Sequence, residues 1–107
     1  MPAIVNVVIF DERAPHERAM RAHLERMCAA CPGVRQLFVC LSPRHAAVTE
    51  ETGTLYVPGV ESLVPGVLHK TLVAMRHCAR RLRFDFLVRS NISTVIDFRR
   101  LPLEGLR

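Results

Sequence analysis

The sequence predicts one α/β domain over residues 1–107, a small, mostly parallel sheet of three to four strands with helices on both faces. Three observations predict it. Apolar, β-branched runs alternate with stretches of helical spacing, the order produced when crossover helices join parallel strands. A length of 107 residues suits a single core. Half of the residues are hydrophobic and 23% are charged, so the chain can bury enough apolar surface to fold.

Residues 4–10 (IVNVVIF) form the first strand, nearly continuous in apolar character and so expected to be covered on both faces. Pro15 suits the first turn of a helix, where its missing N–H costs nothing. Met20, Leu24, Met27, Cys28 and Cys31 follow at helical spacing, and Pro32-Gly33 stops that helix. Residues 36–41 (QLFVCL) make a second strand; 42–53 are polar and without period, holding at most a turn. Residues 54–57 (TLYV) form a short strand. Pro58-Gly59 and Pro65-Gly66 bracket a compact loop. Val67, Leu68, Thr71, Leu72, Met75, Cys78, Ala79 and Leu82 mark one face of a second helix. Residues 84–88 read as a central strand, 94–101 as a further helix or turn, and the rest as tail. Met20, Met27 and Met75 are read as core filler.

The net charge of +5 is unevenly placed. Residues 1–53 carry six arginines against six acids, whereas 54–107 carry nine cations against four. Arg76, Arg80, Arg81 and Arg83 cluster at the end of the second helix, where cations complement the macrodipole. A nucleic-acid footprint would need a continuous basic stripe interleaved with aromatics, which is missing, so nucleic acid is not expected as a partner. Cys28 and Cys31 form a C-x-x-C at the carboxyl end of a helix, the wrong end for an activated thiolate. Cys40 and Cys78 fall in apolar patterns and read as core, and no zinc site is expected. No apolar stretch approaches the roughly 20 residues of a bilayer span. The start of the chain lacks a secretory pattern, so a cytoplasmic location is expected.

Function is concentrated where the apolar run 84–88 ends in Arg89-Ser90-Asn91-Ile92-Ser93. In open α/β sheets ligands sit at the carboxyl ends of strands, which makes this polar cluster a site candidate. Arg89 either binds an anion or pairs with Asp85, Asp97 or Glu61. Asn91 either reads a hydroxyl or caps a turn, and Ser93 with Thr94 suits a cap better than a nucleophile. His69 and Lys70 lie near the start of the second helix, where an anion is favoured, although a solvated face is the commoner outcome. Glu61 is either structural or touches a ligand hydroxyl. Asp11 and Glu12 follow the first strand and either meet a nucleotide or favour the next helix start.

Two segments carry a family resemblance. Residues 55–71 (LYVPGVESLVPGVLHKT) and 84–94 (FDFLVRSNIST) resemble paired segments of glycosyltransferase-like proteins of large DNA viruses and some microbes. Those proteins resemble the amino-terminal half of the A-type nucleotide-sugar transferase fold. The resemblance implies a Rossmann-like half-domain that binds a sugar nucleotide, with Asp11, Glu61, Lys70, Arg89, Ser90, Asn91 and Ser93 as the binding residues. It also implies Mn²⁺ or Mg²⁺ on the diphosphate, held in the family by an acidic D-x-D at a strand end. Here the corresponding strand end offers Arg89, Ser90, Asn91 and Ser93, neutral or cationic groups that are weaker metal ligands. The sequence closes at Arg107, so the resemblance implies a truncated half-domain, inactive alone, and glycosyltransferase-like if active. The competing expectation is a small self-associating interaction protein with no small-molecule site. A homodimer is expected on either, because a short sheet leaves an unpaired edge.

Overall fold

The computed structural model describes residues 3–62 and 66–93. Its elements are β1 (Ile4–Ile9), α1 (Pro15–Cys28), β2 (Val34–Ser42), β3 (Thr49–Glu51), β4 (Thr54–Pro58), α2 (Leu68–Arg81) and β5 (Phe86–Asn91). The segments read from sequence as a last helix, 94–101, and a tail lie outside the described residues.

The chain is an α/β domain with a mixed sheet of five described strands in the order β3-β4-β2-β1-β5. β1 pairs parallel with β2 and β5, and β2 pairs parallel with β4. The strand that makes the sheet mixed is β3, antiparallel to β4. It was not expected, because Thr49-Glu50-Glu51 has no apolar pattern. Its cause is the two-residue connection Thr52-Gly53, with φ of 52° and 77°. Two successive positive φ values are what a tight hairpin of this hand requires. The strand expected to be central, β5, is instead an edge strand among the described residues; β1 and β2 hold the middle.

Strand alternation divides the core between two faces. Val5, Val7 and Ile9 of β1 meet Leu37, Val39, Leu41, Leu55 and Val57 beneath Ala74 and Cys78 of α2. Val8 and Phe10 face the other way, with Phe38, Cys40 and Ile92, beneath Leu24 and Met20 of α1. All six residues of β1 are buried, which accounts for its near-continuous apolar sequence. Burying each such side chain stabilises by roughly 1.5–3 kcal/mol. Burial also pushes the Cys40 thiol up to about 12, so it stays protonated and acts as a small core residue. Cys78 is equally buried, while Cys28 and Cys31 are half-buried, all four as free thiols.

Two details of the helices differ from expectation. α1 stops at Cys28, ahead of Pro32-Gly33, with Cys31 in the following turn, where its N–H donates to the Cys28 carbonyl at 2.9 Å. The buried stripe of α2 is Lys70, Thr71, Ala74 and Cys78. Leu68, Leu72 and Met75 are 63%, 53% and 36% exposed, and Met27 is 40% exposed, so these four are not core. The helix is turned because Lys70 has a buried acidic partner, described below. No helix among the described residues is long and apolar enough to cross a membrane.

Candidate functional site

The connection β1-α1-β2 leads to one side of β1, and α2 carries the chain from β4 back across the sheet to β5 on the other side. The carboxyl ends of β1 and β5 therefore lie side by side where the strand order reverses, the place where open α/β sheets form their ligand crevice. A cleft of about 560 Å³ lies there. The end of β1 and the start of α1 supply Ile9, Phe10, Asp11, Arg13 and Glu17. The segment between β4 and α2 supplies Glu61, Ser62 and Val67, the first turn of α2 supplies Lys70, and the end of β5 supplies Arg89, Asn91, Ile92 and Ser93. Gly59, at φ 144°, turns the chain off β4 toward this cleft.

Of the residues expected to form a site, Asp11, Glu61, Lys70, Arg89, Asn91 and Ser93 all line this cleft. Ser90 does not. It is buried on the opposite face of β5, where its hydroxyl donates to Asn6 Oδ1 at 2.9 Å. Glu12 also turns away, accepting a hydrogen bond from the Tyr56 hydroxyl at 3.3 Å. Arg13 and Glu17 line the cleft but were not singled out in the sequence. The available signal was their position just after the first strand, where crevice loops begin.

Most of the charges in the cleft are committed to one another. The Lys70 ammonium donates to both Glu61 oxygens, at 2.8 and 3.1 Å, and to the Phe10 carbonyl at 3.0 Å. An ammonium has three protons, so none is left for a ligand. The pair is buried, with side-chain exposures of 4% for Lys70 and 6% for Glu61. Asp11 accepts from the Arg13 backbone N–H at 2.9 Å and from its guanidinium at 3.2 Å. The side-chain hydrogen bond from Arg13 is the largest cause holding the Asp11 carboxyl below its ordinary range. Glu17 accepts from the Asp11 N–H at 3.2 Å and places an acid in the first turn of α1, countering the positive helix end.

Arg89 is the exception. It is exposed, and among the described residues its side chain makes no hydrogen bond or ion pair. Two of its expected partners are occupied, Glu61 by Lys70 and Asp85 by the Ala3 N–H at 2.8 Å. The third, Asp97, lies outside the described residues. Asn91 and Ser93 are likewise exposed, with side chains unbonded among the described residues. Among the described residues the cleft thus presents one uncommitted cation beside an amide and a hydroxyl. Such a set suits an anion bearing neighbouring hydroxyls.

Compared with protein-family models, with curated proteins and with solved structures, the chain matches none.

Proposed function

We propose that this domain is a glycosyltransferase-like, Rossmann-like half-domain that binds a sugar nucleotide, or a related phosphate-bearing small molecule, without turning it over alone. The observation that supports it most is the coincidence of the cleft with the point where the strand order reverses. Setting the hairpin strand β3 aside, the order β4-β2-β1-β5 has the form of the 3-2-1-4 part of a doubly wound sheet, one three-stranded half and the strand beside it, and ligands of such sheets sit at the crevice between strands 1 and 4. A volume of about 560 Å³ falls within the range of small-molecule sites. Arg89 supplies the cation, with Asn91 and Ser93 as hydroxyl partners. The proposal of inactivity draws on the carboxylates: among the described residues Asp11 and Glu61 are each paired with a protein cation, and a neighbouring opposite charge makes a carboxylate a weaker general base.

Thermal melts with UDP- and GDP-sugars test the proposal, since a ligand that binds only the folded state raises the midpoint. A rise with at least one sugar nucleotide, abolished by Arg89→Ala, is the expected result. No shift at millimolar ligand would sink it.

A second reading, a self-associating domain without a small-molecule site, draws on α2. Leu68, Leu72, Met75 and Ala79 recur at helical spacing on its exposed side and form an apolar stripe. β5 adds an edge strand among the described residues. A homodimer joined through either feature would be the product.

A further inference from the structure

Resting on the sugar-nucleotide proposal, we infer that the cleft holds its ligand's phosphate directly through the Arg89 guanidinium, seconded by Asn91, and not through a divalent cation. Transferases of the resembled fold place two carboxylates, one residue apart, at this strand end. Residues i and i+2 of a strand share a face, so those acids point together at one metal ion. In β5 Arg89 and Asn91 stand in that i, i+2 relation. Their orientation is fixed by the residue between them: Ser90 is buried on the far face, tied to Asn6, which sends Arg89 and Asn91 to the side of the sheet that carries α2 and the cleft. The pair carries a charge of +1, where two carboxylates in the same relation would carry −2.

Among the described residues the rest of the cleft offers little more: Glu17 bonds through one oxygen, which leaves its other oxygen as a single carboxylate ligand. A hard cation such as Mg²⁺ or Mn²⁺ wants free carboxylate oxygens. Both Glu61 oxygens face the Lys70 ammonium at 2.8 and 3.1 Å, and both Asp11 oxygens face the Arg13 guanidinium at 3.2 Å. A cation placed beside either would meet a protein cation first. No group of three metal-ligating side chains converges among the described residues. A guanidinium, by contrast, offers paired N–H donors that match two phosphate oxygens and supplies the neutralising charge itself.

Calorimetric titration of the intact chain with UDP-glucose and GDP-mannose, each in EDTA and in excess MnCl₂, tests this, alongside Mn²⁺ alone. The expected result is binding of at least one nucleotide with the same Kd in both buffers, within about threefold, and no uptake of Mn²⁺ alone. Arg89→Ala should weaken that binding by about tenfold or more, with Arg89→Lys intermediate because a point charge cannot form the bidentate contact. The double variant Arg89→Asp, Asn91→Asp should take up Mn²⁺ by itself and bind nucleotide only in its presence. Both positions are exposed, and circular dichroism of each variant checks that it is folded. Wild-type binding that requires Mn²⁺ would overturn the metal-free site while leaving the nucleotide proposal standing. Absence of binding in either buffer would overturn both.

Discussion

Lys70 and Arg89 occupy one cleft and have opposite fates. Lys70 extends from a helix, and its flexible stem reaches under the cleft floor to a carboxylate and a backbone carbonyl. Arg89 extends from the end of an edge strand, where the described residues leave it facing solvent. The consequence is that Lys70 belongs to stability and Arg89 to recognition. Truncating Lys70 strands the Glu61 carboxylate at 6% exposure without its counter-charge. Lys70→Met should therefore destabilise by about 3–5 kcal/mol, the usual cost of breaking a buried pair from one side. Adding Glu61→Leu should restore most of the loss, since replacing both partners with apolar groups is often close to neutral. Urea unfolding gives the comparison directly, through a midpoint that falls in the single variant and recovers in the double one at constant slope. Failure of the double variant to recover would mean that the pair also fixes the path of the β4–α2 segment.

At the scale of elements, α1 begins with a defect that can be repaired. Ala14 sits at its N-cap in extended geometry, φ −84° and ψ 116°, and makes no side-chain capping bond. Pro15 removes one orphan N–H, but an oxygen at position 14 would satisfy another at the second or third helical residue. Ala14→Asp should raise unfolding stability by about 1 kcal/mol, read as a higher melting midpoint; an unchanged midpoint would show that neighbouring groups already serve the helix start. Elements such as β1, β2 and β4 were legible in the sequence because burial on both faces leaves a run of apolar residues. β5 was legible as a strand but displaced. Asp85 and Phe86 both donate their N–H groups to the Ala3 carbonyl, at 2.8 and 3.2 Å, so pairing starts two residues later than Phe84. Register with β1 then carries it through Arg89, Ser90 and Asn91 alongside Val7, Val8 and Ile9. Period alone placed α2 but mis-set its rotation, because periodicity cannot reveal that a lysine will be drawn inward by an acid nine residues earlier. The membership of the cleft was largely readable from the rule that loops at strand ends line it. Which charges would cancel one another was not, since the pairing of Glu61 with Lys70 and of Asp11 with Arg13 is set only in the folded geometry.

For the whole molecule, the two proposed modes of action occupy different surfaces and respond oppositely to salt. A nucleotide bound through one guanidinium in the cleft should weaken as salt screens the contact. Self-association through α2 should strengthen. The apolar stripe of Leu68, Leu72, Met75 and Ala79 adjoins an exposed row of His69, Arg76 and Arg80. A two-fold pairing of the stripe brings Arg76 and Arg80 of one copy toward those of the other, on a chain of net charge +5. Raising the salt from 0.1 M to 1 M shortens the screening length from about 10 Å to about 3 Å and removes most of that repulsion. Sedimentation velocity should then show a monomer at 0.1 M NaCl and a growing dimer fraction at 1 M. Leu72→Glu, at a position 53% exposed and so harmless to folding, should remain monomeric in both. A monomer at every salt concentration would remove the α2 route to self-association. A dimer insensitive to both salt and the Leu72 substitution would move the interface to the edge of β5, where paired backbone groups, not side-chain charges, set the affinity.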